Sequence, residues 1–141
     1  MKPVLLVVLQ CPWRRTSPSR GWNSRAWRRE LWSSRVGVRL QEALPREIFK
    51  VVVCDANPTL TGSPDEIFPN DRVRLCRLIQ RIRPDVILAG GSLVRKVVGE
   101  ISPGVPVVTI KSPAYRLLSR RKAAEIKSQL VQLAIELLSR R

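Results

Sequence analysis

Between Leu75 and Val98 the chain reads LCRLIQRIRPDVILAGGSLVRKVV, and two changes of period inside it decide the fold class. Leu75, Leu78, Ile79 and Ile82 recur at i, i+3, i+4 and i+7, the apolar stripe of one helix face, with Arg72, Arg74, Arg77 and Arg81 mostly off it. Pro84 stops that helix. PDVILAGG then follows as a continuous apolar run, the pattern of a strand covered on both faces. After two glycines and Ser92, which the pattern predicts as an N-cap, the helical period returns through Leu93, Val94, Val97, Val98 and Ile101. Helix, buried strand and helix joined by short turns are the building unit of an α/β fold with parallel strands.

The same alternation extends in both directions. PVLLVVLQ and FKVVVCDAN precede the block and VPVVTIKS follows it, each an apolar run bounded by proline, glycine or asparagine. Ile126, Leu130, Leu133, Ala134 and Leu137 mark a last helix, and GVRLQEAL an earlier one. There is no internal repeat and no break in composition. The expectation is one domain over residues 1–141, a three-layer α/β/α sandwich with a four-stranded parallel sheet. Two connections are long, from Cys11 to about Val36 and from Asn57 to Asn70. Both leave the carboxyl ends of strands, where ligands bind in open α/β sheets.

Composition narrows the partner. A formal net charge of +15 with a pI near 11.4 favours a polyanion, held through phosphate contacts and counterion release. The plainer source is coding bias, since 20 of the 26 basic residues are arginine. No stretch approaches the ~18 apolar residues of a membrane span, and MKPVLLVVLQ runs into arginines with no cleavage site, so it reads as a strand and not a signal peptide. Cys11, Cys54 and Cys76 are odd in number and widely spaced, and the chain has no histidine. That argues for a reducing compartment, a prokaryotic or phage-host cytoplasm, and against a disulfide framework or a four-ligand metal site.

Four segments carry candidate chemistry. The first loop, CPWRRTSPSRGWNSRAWRRELWSSR, holds all four tryptophans and seven arginines against one acid. Guanidinium groups take phosphates and indoles stack on bases. The structural alternative is that some of these tryptophans are core. Trp13, Arg14 and Trp22, among proline, glycine and asparagine, are the better contact candidates. Gly90, Gly91 and Ser92 form a strand-to-helix turn that either offers N–H groups to a phosphate or uses glycine for steric reasons alone. Asp55 and Asn57 end the second strand. A carboxylate there is either a base or base-edge acceptor, or a turn former ahead of Pro58. Lys111, Ser112, Pro113, Tyr115 and Arg116 open the segment after the fourth strand, either a proline stop before a solvated helix or a grip on DNA.

The order of these segments resembles the uracil-DNA glycosylase superfamily along most of the chain. In that family the first strand ends in a short proline-containing active-site loop; LQCPW stands there, with Gln10 and Pro12 matching and Cys11 at the catalytic Asp or Asn position. The family's second strand ends in a base-reading asparagine, where this chain has Asp55, with Asn57 as the rival alignment. The Leu75–Val98 block looks most like the family. The H-P-S type motif after the fourth strand is matched by KSPAYR in position and proline, with Ser112 in place of the histidine.

The resemblance implies a base-excising DNA glycosylase, acting as a monomer without cofactor or metal on a flipped uracil, cytosine-type or modified base. It implies Gln10, Cys11, Asp55 and Ser112 around the glycosidic bond, with the remaining candidates on base or DNA. An Asp where the family has Asn offers only acceptors when ionised, which favours an amino-bearing base over uracil. Two alternatives stand beside it. One is a DNA-binding relative of the same fold that has lost catalysis. The other is a small nucleotide-binding protein with the glycine turn on a phosphate, which the charge disfavours.

Overall fold

The computed structural model describes residues 2–9, 29, 32, 35–56, 69–110 and 118–140. Among the described residues four strands, β1 (Val4–Leu9), β2 (Lys50–Asp55), β3 (Val86–Gly90) and β4 (Val107–Ile110), alternate with four helices. These are α1 (Arg35–Ala43), α2 (Pro69–Ile82), α3 (Ser92–Ile101) and α4 (Arg120–Ser139). All strand pairings are parallel, in the order β2-β1-β3-β4.

The continuous apolar runs are explained by what covers them. Leu5, Val7, Leu9, Val86, Leu88, Val108 and Ile110 point to one face and pack with Leu40 and Ala43 of α1, with Leu44 just after it, and with Ala123, Ile126, Leu130 and Ala134 of α4. Leu6, Val8, Cys54, Ile87 and Ala89 point to the other and meet Leu75, Leu78 and Ile79 of α2 and Val94, Val97 and Val98 of α3. Two cores therefore sandwich the sheet, giving the expected three layers. The division of helices follows from connection handedness. The step from β1 to β2 runs opposite in direction to the steps from β2 to β3 and β3 to β4. Crossovers of a single hand then put α1 on the face opposite α2 and α3.

Polar groups lock the amino edge of the sheet. The Asp85 carboxylate accepts from Val4 N–H at 2.7 Å, while Asp85 N–H donates to the Val4 carbonyl at 2.9 Å. Lys50 N–H donates to the Pro3 carbonyl at 2.9 Å. α2 ends where Arg83 turns to φ 52° ahead of Pro84, a left-handed residue followed by one that cannot continue a helix.

Candidate functional site

The carboxyl ends of the strands come to one level. Leu9 is in register with Asp55, Val8 with Ala89, and Gly90 with Ile110. Ala56 N–H donates to the Leu9 carbonyl at 2.6 Å, carrying the ladder one residue past β2. Chain connections diverge between β1 and β3, so this edge contains a topological switch point, where open α/β sheets leave a crevice.

The glycine turn sits at that point, and each glycine has its own reason. A Cβ on Gly90 would stand 3.1 Å from the Val8 carbonyl oxygen and 3.4 Å from Leu9 Cα, both backbone atoms of the neighbouring strand. Gly91 has φ 118° and ψ 164°, a region almost confined to glycine. Gly91 is the N-cap of α3, and Ser92, expected in that role, is its first helical residue and is exposed. The extended positive-φ conformation turns the chain into the helix one residue before a serine side chain can cap it. Gly91 has no side chain with which to cap α3, and the first helical bond runs from Arg95 N–H to the Gly91 carbonyl at 3.0 Å. First-turn N–H groups at a strand's carboxyl end can take an anion.

Asp55 closes β2 beside Leu9. Gly90, Gly91, Ser92 and the backbone of Asp55 are thus brought to one edge. Gln10, Cys11, Pro12, Trp13, Arg14, Trp22, Asn57, Lys111, Ser112, Pro113, Tyr115 and Arg116 lie outside the described residues.

Trp32 answers one of the two readings of the tryptophan loop. Its half-buried ring packs against the core under α1 and α4. The Arg46 guanidinium lies 4.5 Å from the ring centroid, and the Trp32 carbonyl accepts from Gln41 Nε2 at 3.1 Å. At this position the cation–aromatic pair is made within the chain, between a half-buried ring and an exposed arginine. Sequence reasoning missed a hollow of about 230 Å³ beside the carboxyl end of β4, where Thr109, Lys122, Glu125 and Gln129 ring Ile110, Leu118 and Ile126. Lys122, Glu125 and Gln129 sit about a helical turn apart on α4, a spacing that reads in sequence as solvated surface. The volume is below the ~300 Å³ at which small-molecule sites begin.

Among the described residues no group of three or more His, Cys, Asp or Glu could hold a metal ion, and no helix is long and apolar enough to cross a membrane. No protein-family model matches the chain, and no curated protein matches it.

Proposed function

We propose that the protein binds DNA as a monomeric relative of the uracil-DNA glycosylases and excises a flipped base at the carboxyl edge of its sheet. The observation that carries the reading is the common level of Leu9, Asp55, Gly90 and Ile110. The short motifs that resemble the superfamily begin at or directly beyond Leu9, Asp55 and Ile110, and the Leu75–Val98 block carries Gly90. The charge of +15 supplies the affinity for phosphate.

Extrusion of a nucleotide brings its Watson–Crick edge to the ends of the strands. In this reading the Asp55 carboxylate accepts from an exocyclic amino group, and Gln10 or the backbone at Cys11 holds the attacking water. Ser112 with Lys111 or Arg116 faces the departing base and the flanking phosphates, and the α3 N-terminus takes a backbone phosphate. Water forms the bond to the anomeric carbon as the glycosidic bond breaks, and the base leaves with that electron pair and takes up a proton.

Incubation with oligonucleotides carrying uracil, cytosine, hypoxanthine, hydroxymethyl- or glucosyl-modified bases, followed by alkaline cleavage of abasic sites, tests this. Release is expected to favour amino-bearing bases over uracil, and Asp55→Asn to move the preference toward uracil by an order of magnitude or more. Equal or better release of uracil by the wild-type protein would remove the Asp55 assignment.

A second reading, binding without excision, is favoured by the altered motifs. Cys11 and Ser112 stand where the superfamily carries its carboxylate or amide and its histidine. Loss of one preorganised group typically costs ~10²–10³-fold in rate. Absence of product from every base, with DNA binding intact, establishes that reading.

A further inference from the structure

The carboxyl edge leaves a row of described cations on α2 unused. Asn70, Arg74, Arg77 and Arg81 of α2 fall within an arc of about 60° at 100° per residue, one row along the helix. With Val73 and Leu78 they line, among the described residues, a hollow of about 660 Å³ on the outer surface. The cations of this row are little compensated by acids. Arg72, on the flank toward α3, pairs with Glu100 at 2.6 Å. Arg74 reaches Asp71 only at 4.0 Å. Arg77 and Arg81 make no ion pair with a described residue. Like charges at i, i+3 and i, i+4 oppose helix formation, so the unbound row is held together against its own repulsion.

We propose that this face of α2 is a rail for the DNA phosphate backbone, carrying the strand onward from the carboxyl edge. It rests on the DNA reading above and extends it to a surface outside the base pocket. α2 begins on the carboxyl side, after β2, and ends by the amino end of β3, so Asn70 lies near the crevice and Arg81 far from it. Arg74 to Arg81 spans about 10.5 Å at 1.5 Å per residue, roughly three nucleotide steps at 3.4 Å each along one strand. Guanidinium forks bind phosphate oxygens in pairs, and the amide of Asn70 adds a neutral donor. Val73, 51% exposed beside the row, can lie against deoxyribose. A membrane surface fits poorly. An interfacial helix needs its apolar face free for lipid, and here Leu75, Leu78 and Ile79 are buried in the core.

Fluorescence anisotropy of a labelled oligonucleotide duplex, titrated between about 50 and 200 mM salt, tests the rail. The variant Arg74→Gln/Arg77→Gln/Arg81→Gln is compared with Lys2→Gln/Lys50→Gln/Arg140→Gln, which removes equal charge from exposed positions at the amino edge and the end of α4. Loss of three phosphate contacts is expected to make the slope of log K against log salt shallower by about 2–3, with the control keeping the wild-type slope. Circular dichroism verifies that both variants are folded, since glutamine is as good a helix former as arginine. Equal slopes in the two variants would overturn the rail while leaving the DNA reading standing. A wild-type slope near zero removes both. If the α2 substitutions weaken binding of polyglutamate or anionic vesicles but leave DNA untouched, the face belongs to another polyanion and the rail falls.

Discussion

At the scale of single residues, the glycine turn at the end of β3 sets the shape of the site through two unlike constraints. Gly90 is held by proximity, because any side chain there meets the backbone of β1 at 3.1 Å. Gly91 is held by conformation, at φ 118°. The two substitutions should therefore differ in kind. Gly91→Ala forces an L-residue into a nearly glycine-only region and is expected to cost about 1–3 kcal/mol of stability, with the sheet undisturbed. Gly90→Ala can keep its backbone angles but must push β1 and β3 apart beside the crevice. It should lose ligand affinity out of proportion to its stability. Urea unfolding read beside DNA affinity separates them, and a Gly90→Ala protein with unchanged affinity would sink the placement of the crevice between β1 and β3. The sequence presented both glycines as equivalent. Neither the 3.1 Å approach nor the sign of φ is written in a dipeptide, which is why the steric and ligand-binding readings stood level and why Ser92 was expected as the cap.

At the scale of elements, the alternation of period was enough to find every strand and helix described, because strands covered on both faces read as unbroken apolar runs and the helices keep one apolar stripe. Less legible was the use of each polar face. The arginines of α2 look in sequence like an ordinary solvated surface. Only the pairing of Arg72 with Glu100, and the lack of a comparable partner for Arg77 and Arg81, tells the two flanks apart. α4 makes a related point. Its first turn holds Arg120, Arg121 and Lys122 and no acid, contrary to what the helix dipole favours, and one side chain relieves it: Ser119 Oγ accepts from Lys122 N–H at 3.1 Å. Ser119→Ala is expected to cost about 1 kcal/mol, at the level of a lost N-cap. Ser119→Asp should keep the cap and add a favourable charge, raising stability above wild type. Paired thermal melts decide it; equal melting temperatures for the two variants would show that the cap contributes nothing in this turn.

At the scale of the whole molecule, the fold class and the convergence of the strand ends were legible, but the strand order was not. β1 and β3 carry no charged residue and β2 has Lys50 and Asp55 at its ends, which hints at the central pair but does not give the order β2-β1-β3-β4. β4 is set at an edge by packing, with Val107 and Thr109 only half buried. That order puts the switch point between β1 and β3. Charge acts at this same scale. A surplus of +15 on 16.0 kDa repels itself in the folded state, so the free protein should gain stability as the Debye length shrinks from ~30 Å at 0.01 M to ~8 Å at 0.15 M salt. On the proposed DNA-binding function, bound duplex should stabilise too, by about 2.7 kcal/mol at a hundredfold excess over Kd, or roughly 5–10 °C for a domain of this size. The two effects carry opposite salt dependence. Screening grows with salt, whereas the DNA increment must shrink, because the counterions released on binding are released against a rising concentration. Melting curves with and without duplex at low and physiological salt should therefore converge from opposite sides. A mononucleotide, which cannot engage several phosphate contacts at once, should leave the free-protein curve unmoved at equal phosphate concentration. If it raises the melting temperature as duplex does, and the rise survives salt, the carboxyl edge is a small-nucleotide pocket and the surplus charge has no part in its affinity.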